Sequence, residues 1–480
     1  MPETDPKMKA SKQIHRAAGY LSLFVPVITG GLWAGEPVPQ NNSDSAMMAW
    51  LTGDYMLGDW NGVRTDLAKR GIDFEFFYFG STPSNLDGGY KTGTVYQGAL
   101  LTTLGLRSEE LLGYEGGDFF VSATWLNGTE DFSDQYIGDL NKVNLTDFDN
   151  DFRLWELWYS QDLLDKKLKF KAGVMTVDRD FIVPEYYNSI GSINFLNQTF
   201  FFPTLAFNLY EIPGFPIGNH SLPSTPFGSL GFLTRYEPVK DAYIQAAIYD
   251  GNPDATNHGT DLTLSGDEGA LIYFETGYGW NKSSDSVGLP GSLKVGGYYH
   301  TDEYYDVNQG TAYAVANAFG LSGVLPSEHS GNYGGYLLAE QYLWLETGKT
   351  DPAMQGALAF FRFSAAPEDR NLTSLGIDGG VVFKGLIPGR DWDTIGLGIS
   401  YLEISEDISG AVRDVNATYS TNFKIPDYEG VVELSYKAQI TAWWTLQPSL
   451  QWVMHPGGYT NLANQPSDAL ALILQTTLRF

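Results

Sequence analysis

The chain closes on Ala469-Leu470-Ala471-Leu472-Ile473-Leu474-Gln475-Thr476-Thr477-Leu478-Arg479-Phe480. Sorted by parity, Leu470, Leu472, Leu474, Thr476, Leu478 and Phe480 share one face, five of the six being apolar. Ala471, Ile473, Gln475, Thr477 and Arg479 share the other. Period two marks a strand, because successive side chains leave a pleated backbone on opposite sides. One face suits hydrocarbon and the other tolerates water. That division is the reverse of a soluble barrel with a packed interior.

The same division recurs upstream. Ala242, Ile244, Ala246 and Ile248 oppose Tyr243, Gln245, Ala247 and Tyr249. Val432, Leu434, Tyr436 and Ala438 oppose Glu433, Ser435, Lys437 and Gln439. Trp444, Leu446, Leu450 and Trp452 oppose Thr445, Gln447, Ser449 and Gln451. Candidate strands fall near 72–80, 94–106, 117–126, 152–161, 167–176, 229–237, 242–250 and 269–278. A second set falls near 293–301, 334–345, 355–364, 376–384, 395–403, 428–440, 443–453 and 469–480. The total of about sixteen is even, as expected of a single-chain antiparallel transmembrane barrel. Gaps after odd strands run from ~11 to ~52 residues and after even strands from ~2 to ~14, a long-loop, short-turn alternation. It places both termini on the short-turn side and Trp443 and Trp444 in an aromatic girdle there.

Composition agrees with an all-β wall facing lipid and water in turn. The 480 residues include 54 Gly, 29 Tyr and 12 Trp, with a mean hydropathy of −0.19. The absence of Cys excludes disulfides, thiolate metal sites and cysteine nucleophiles. A net charge of −28 argues against nucleic acid as a partner, since a phosphate backbone needs a basic surface. Lys7, Lys9, Lys12, His15 and Arg16 precede a mostly apolar run from Ala17 to Trp33. That run falls short of the ~20 apolar residues of a spanning helix and reads as an export signal over 1–34. Residues 35–71 then form a periplasmic segment with a short helix, and 72–480 form the barrel. Within 35–71, Asp59 to Gly71 reads as the helix, Asp as N-cap and Gly as stop, with Val63 and Leu67 on one face.

Gly58-Asp59-Trp60-Asn61-Gly62-Val63-Arg64-Thr65-Asp66-Leu67-Ala68-Lys69-Arg70-Gly71-Ile72 resembles the N-terminal signature of the carbohydrate-selective (OprB-type) porins, with Asn61 in place of a Gly. Similar matches are Phe195-Leu196-Asn197, Gly389-Arg390-Asp391, Gly396-Leu397-Gly398, and Glu429 with Glu433 and Tyr436. Leu446-Gln447-Pro448-Ser449-Leu450-Gln451-Trp452 and His455-Pro456-Gly457-Gly458 complete them. The resemblance spans roughly 50–480. It implies a sixteen-stranded Gram-negative outer-membrane pore for facilitated diffusion of neutral mono- or small oligosaccharides, without cofactor or catalytic residues. The strand ending in Phe480 is similar to the signal read by the barrel assembly machinery. Further partners are outer-membrane lipid and lipopolysaccharide, with the barrel standing as a monomer or homotrimer. One alternative is a general or cation-preferring diffusion pore, suggested by the −28 charge; another is an exported glycan-active enzyme or adhesin.

A sugar pore needs polar groups to replace water and flat apolar surfaces for C–H faces, binding weakly enough to release. The longest connection, near 177–228, is the segment expected to fold inward. It offers Phe195, Asn197, Phe200 and Phe202 among other aromatics and amides, which could stack on solute or simply form the loop's own core. Charged residues of water-facing parity are Glu156, Lys169, Lys171, Glu275, Lys294, Arg362, Glu433 and Lys437. The plainer reading of each is a solvated wall residue. Arg362 is the first choice, because it interrupts the aromatic run Phe360, Phe361 and Phe363. Asp147, Asp149 and Asp151 alternate as in a calcium loop but lack its Gly and closing Glu, and no metal is expected.

Overall fold

The computed structural model describes residues 46–480 apart from 189–192, 202–221, 254–257, 261, 263, 265–268, 284–285, 321–322 and 347–354. The expected export signal at 1–34 lies outside the described residues. The strands are β1 (Ile72–Gly89), β2 (Gly93–Thr94), β3 (Gln97–Arg107), β4 (Gly117–Gly128), β5 (Asp151–Leu163) and β6 (Leu168–Met175). They continue as β7 (Ser229–Val239), β8 (Ala242–Asp250), β9 (Ala270–Trp280), β10 (Gly291–Tyr305), β11 (Glu328–Leu345) and β12 (Gly356–Ala365). The last are β13 (Thr373–Lys384), β14 (Thr394–Ile404), β15 (Tyr428–Thr441), β16 (Trp444–Met454) and β17 (Ser467–Arg479).

From β3 onward each strand pairs antiparallel with the next, and β1 pairs with both β3 and β17. The ring is therefore closed by sixteen full strands, with the two-residue β2 as an extra rung on β1. Closure leaves no row of unpaired backbone groups, which is what lets a sheet stand in hydrocarbon. Among the described residues no helix is long and apolar enough to cross a membrane.

All sixteen expected strands are present. Several are longer than the alternation indicated. β1 runs on to Gly89 through Pro83, Asn85 and Asp87, and β11 begins at Glu328. These ends carry turn-forming residues, and beyond the lipid no alternation is required of them. The extension of β1 shortens the connection after it to 90–96, and the early start of β13 at Thr373 leaves 366–372, so long and short gaps alternate less strictly than expected.

Outward side chains such as Ile244, Ile248, Leu434, Leu450, Trp452, Leu472 and Leu474 are exposed, as the parity predicted. Inward ones such as Gln245, Glu433, Ser435, Gln447, Ser449, Gln451 and Gln475 are buried. They are buried because connections fold into the ring. Phe132, Ile137 and Val143 of 129–150 pack on the wall residues Phe77, Phe79, Leu101 and Leu126. Tyr187, Phe195 and Phe200 of 176–228 pack on Leu338, Leu358, Phe360 and Val382. On the same side, the helices Val307–Ala318 and Glu406–Tyr419 join through stacked Phe319 and Tyr419, ring centroids 5.2 Å apart.

The N-terminal segment closes the opposite side of the seam. The helix is shorter than expected, Val63–Lys69, with Gly62 rather than Asp59 as its N-cap; the Asp59 carboxylate instead accepts from Thr65, from N–H at 2.9 Å and hydroxyl at 2.7 Å. Its buried residue is Arg64, while Val63 is half exposed, so the apolar pair is not what docks it. Arg64 donates to the carbonyls of Phe74 at 3.2 Å and Phe480 at 2.6 Å. Its guanidinium lies 3.8 Å from the Tyr55 ring centroid. Arg479 beside it pairs with Glu75 at 2.7 Å. Trp443 also departs from expectation. It is buried against Trp50, centroids 4.6 Å apart, and leaves the outer position to Trp444.

Candidate functional site

Four inward glutamates hold the folded-in connections by their backbone. Glu340 on β11 accepts N–H bonds from Glu185 and Tyr186 at 2.7 Å and from Tyr187 at 2.9 Å. Glu433 on β15 accepts from Leu196 at 2.7 Å and Asn197 at 2.9 Å. Glu429, on the same strand, accepts from Leu140 and Asn141 at 2.8 Å and from Gly457 at 2.7 Å. Glu275 on β9 accepts from the Ile182 N–H at 2.9 Å and from the hydroxyls of Tyr243 at 2.6 Å and Tyr336 at 2.7 Å. A carboxylate presents two oxygens about one peptide apart, so it can take adjacent N–H groups that a loop inside a barrel would otherwise leave unpaired.

Arg362 belongs to the same scaffold. It is wholly buried and faces Asp378 across the β12–β13 ladder, donating to its carboxylate at 2.9 and 2.7 Å. Its other contacts are the Thr199 carbonyl and the Tyr187 hydroxyl, both on the inward connection. The Thr199 hydroxyl donates to Asp378 at 2.9 Å. The side chain expected to meet solute is thus enclosed by loop and wall.

Phe195 and Phe200 have no exposed surface and lie 4.8 Å apart over Phe360. The inward face of β14 makes room for them. A Cβ added at Gly396 would come within 2.8 Å of the Phe195 ring, and one at Gly398 within 2.7 Å of Phe200. Asn197 caps the turn by accepting from Thr199 N–H at 3.1 Å and donates to Gln451 at 3.0 Å. Phe202 lies outside the described residues. Lys437 is buried on the inward face opposite Thr394.

The remaining candidates come together. Glu156, Lys169, Lys171 and Lys294 line a cavity of about 780 Å³ between β4–β10 and residues Val183–Glu185. Its wall includes Asp165–Lys167 and Pro238–Asp241, at the turns between β5 and β6 and between β7 and β8, so it opens on the short-turn mouth. Lys171 pairs with Asp180 at 2.8 Å, and Arg179 with Glu156 at 3.3 Å. Lys169 stands 3.6 Å from Asp162, and Lys294 donates to the Val183 carbonyl at 2.6 Å. Aromatic faces support the cations. Lys171 Nζ is 4.5 Å from the Trp158 ring centre and the Arg235 guanidinium 3.7 Å from that of Tyr243.

Glu340 was not singled out from sequence. A lone carboxylate at inward parity between Leu338 and Tyr342 is the pattern that marks it. The alternating aspartates do not converge. Asp147 accepts the N–H groups of Phe132 at 3.0 Å and Ser133 at 2.7 Å, Asp149 is exposed, and Asp151 pairs with Arg153 at 3.2 Å. Among the described residues no group of three or more acidic or histidine side chains is placed to hold a metal.

The chain is 29% identical to Porin B of Pseudomonas aeruginosa over 434 residues, 85% of this chain and 88% of that one. It is 24% identical over 451 residues to the putative porin QuiX of Acinetobacter baylyi, covering 89% and 93%. The high-pH structure of Pseudomonas putida OprB superposes with a TM-score of 0.75 at 23% identity, covering 89% of this chain and 99% of that one. The model of the carbohydrate-selective porins, OprB family, matches residues 34–480. The lumen, the closed ring and these matches together identify the chain as a member of the OprB family, a carbohydrate porin of the Gram-negative outer membrane rather than an enzyme.

Proposed function

We propose that carbohydrates cross this barrel by facilitated diffusion past the inward-folded residues 176–188 and 193–201 of one connection, which narrow the lumen. Glu275, Arg362, Glu433, Phe195, Asn197 and Phe200 hold that connection. Glu156, Lys169, Lys171 and Lys294 face the solute. The observation that carries this division is the cavity at the short-turn mouth. The second group borders it, whereas none of the first group does. Paired charges there offer both donors and acceptors to hydroxyls, and no covalent step is needed.

We also propose that the outward leucines of β17 and its terminal Phe480 are read by the barrel assembly machinery. Deleting Phe480 is expected to lower the amount of folded barrel in the outer membrane, and full assembly of the deletion would refute this.

Single-channel conductance in a planar bilayer, titrated with mono- and oligosaccharides, tests the transport reading. Saturable block by sugar is the expected result. Steady conductance indifferent to every sugar would make the barrel a general diffusion pore.

A further inference from the structure

Acidic residues outnumber basic ones 57 to 29 in the whole chain, giving the charge of −28. The cavity at the short-turn mouth reverses this balance. Nine Lys and Arg border it against seven Asp and Glu. Nearly a third of the chain's cations therefore surround one cavity. The low-dielectric barrel wall concentrates their field there instead of letting bulk water screen it.

The placement of two of them is costly. Lys169 on β6 and Arg235 on β7 stand directly opposite one another in register, both on the inward face. Like charges directly opposed across a ladder destabilise a sheet, and a wall selected only for strength avoids them. Each is paired with an acid, Asp162 at 3.6 Å and Glu237 at 2.8 Å, and both cations border the cavity. Lys294 enters from β10, and Lys282 pairs with Glu185 at the edge of the inward connection.

We infer that this vestibule is a binding site for sugar acids, monosaccharides bearing a carboxylate, and holds them more tightly than the matching neutral sugars. The inference rests on the porin reading above and names the solute class for the same lumen. A carboxylate placed between Lys169 and Arg235 relieves their repulsion, and Arg235, whose Nε already donates to Glu237 and Nη1 to Gln245, can take it through its remaining Nη–H groups. The acids paired to the surrounding cations, Asp180 and Glu185 among them, remain as acceptors for the sugar hydroxyls.

The test is block of single-channel current by gluconate, glucose, glucose 6-phosphate and acetate, each at low and high salt. Gluconate is expected to block at about one-tenth the concentration needed for glucose, the advantage shrinking as salt screens the charges. The double variant K169Q/R235Q should bring the gluconate-to-glucose ratio towards one. Its heat-shifted gel mobility reports that the barrel has folded. Gluconate blocking no better than glucose would overturn the inference while leaving the porin reading intact, as would acetate blocking as well as gluconate. Tighter block by glucose 6-phosphate than by gluconate would also overturn it, making the site one for phosphosugars. No block by any sugar would count against the porin reading itself.

Discussion

Glu433 holds two adjacent peptide N–H groups, and only an ionised carboxylate supplies two acceptors so placed. Glu433→Gln keeps the shape but turns an amide donor towards Leu196 or Asn197. The expected loss is about 1–3 kcal/mol. It would be read as a lower temperature for conversion of the folded gel band and as noisier single-channel current. An unchanged transition would refute the anchoring role. Asp139, in the connection 129–150, gives a pH-dependent counterpart. Burial, reinforced by the charge of Glu429, pushes its carboxyl well above the ordinary carboxylate range. An acid raised in the folded state costs stability as pH climbs from its unfolded value towards its folded one. Asp139→Asn should therefore raise the unfolding temperature at pH 7 and leave it unchanged near pH 3; equal shifts at both would refute it. Parity identified Arg362, Glu275 and Glu433 as inward residues. It could not tell that a loop covers them, because alternation reports the face of a strand and nothing about what lies against it.

At the level of elements, β14 shows a strand thinned to admit a loop. Gly396 and Gly398 leave the space that the Phe195 and Phe200 rings fill. Gly398→Val would drive Phe200 from its seat, and a change in conductance with the barrel still folded is the expected outcome. Identical conductance would show that the ring's position does not set the pore. The helix Val63–Lys69 acts at the other end through Arg64 and the carbonyl of Phe480. Arg64→Ala should lower the gel-shift temperature, whereas an Arg70→Ala control should not. Both elements were visible in sequence through the resemblance of Gly58 to Ile72 and of Gly396-Leu397-Gly398 to the family pattern, but their partners were not. Strand interiors were legible because lipid imposes alternation. Strand ends were missed where β1 and β11 continue through Pro, Asn and Gly beyond it.

Across the whole molecule, the count of sixteen strands was legible and the bonds that hold connections inside the ring were not. Those bonds join residues hundreds of positions apart, such as Glu433 with Leu196, and no local pattern encodes them. Net charge is blind to placement in the same way. A sum of −28 does not say where the charges lie, and nine of the cations border the cavity at the short-turn mouth. The closed ladder also makes a collective prediction. With no free edge, the barrel should keep its compact mobility in cold dodecyl sulfate and lose it on boiling. Identical mobility before and after heating would contradict closure.

The seam between β1 and β17 fixes the order of events in making this molecule. Phe77 pairs with Arg479, so the first strand waits for the last one, and hydrogen bonds of that span close late and slowly. A fragment lacking β17 leaves β1 without the partner it has here, so this ring cannot close until residue 479 has been made. The chain therefore reaches its full length before its first strand finds its last neighbour. A ring joined first strand to last encloses its water path only once the whole chain is in place.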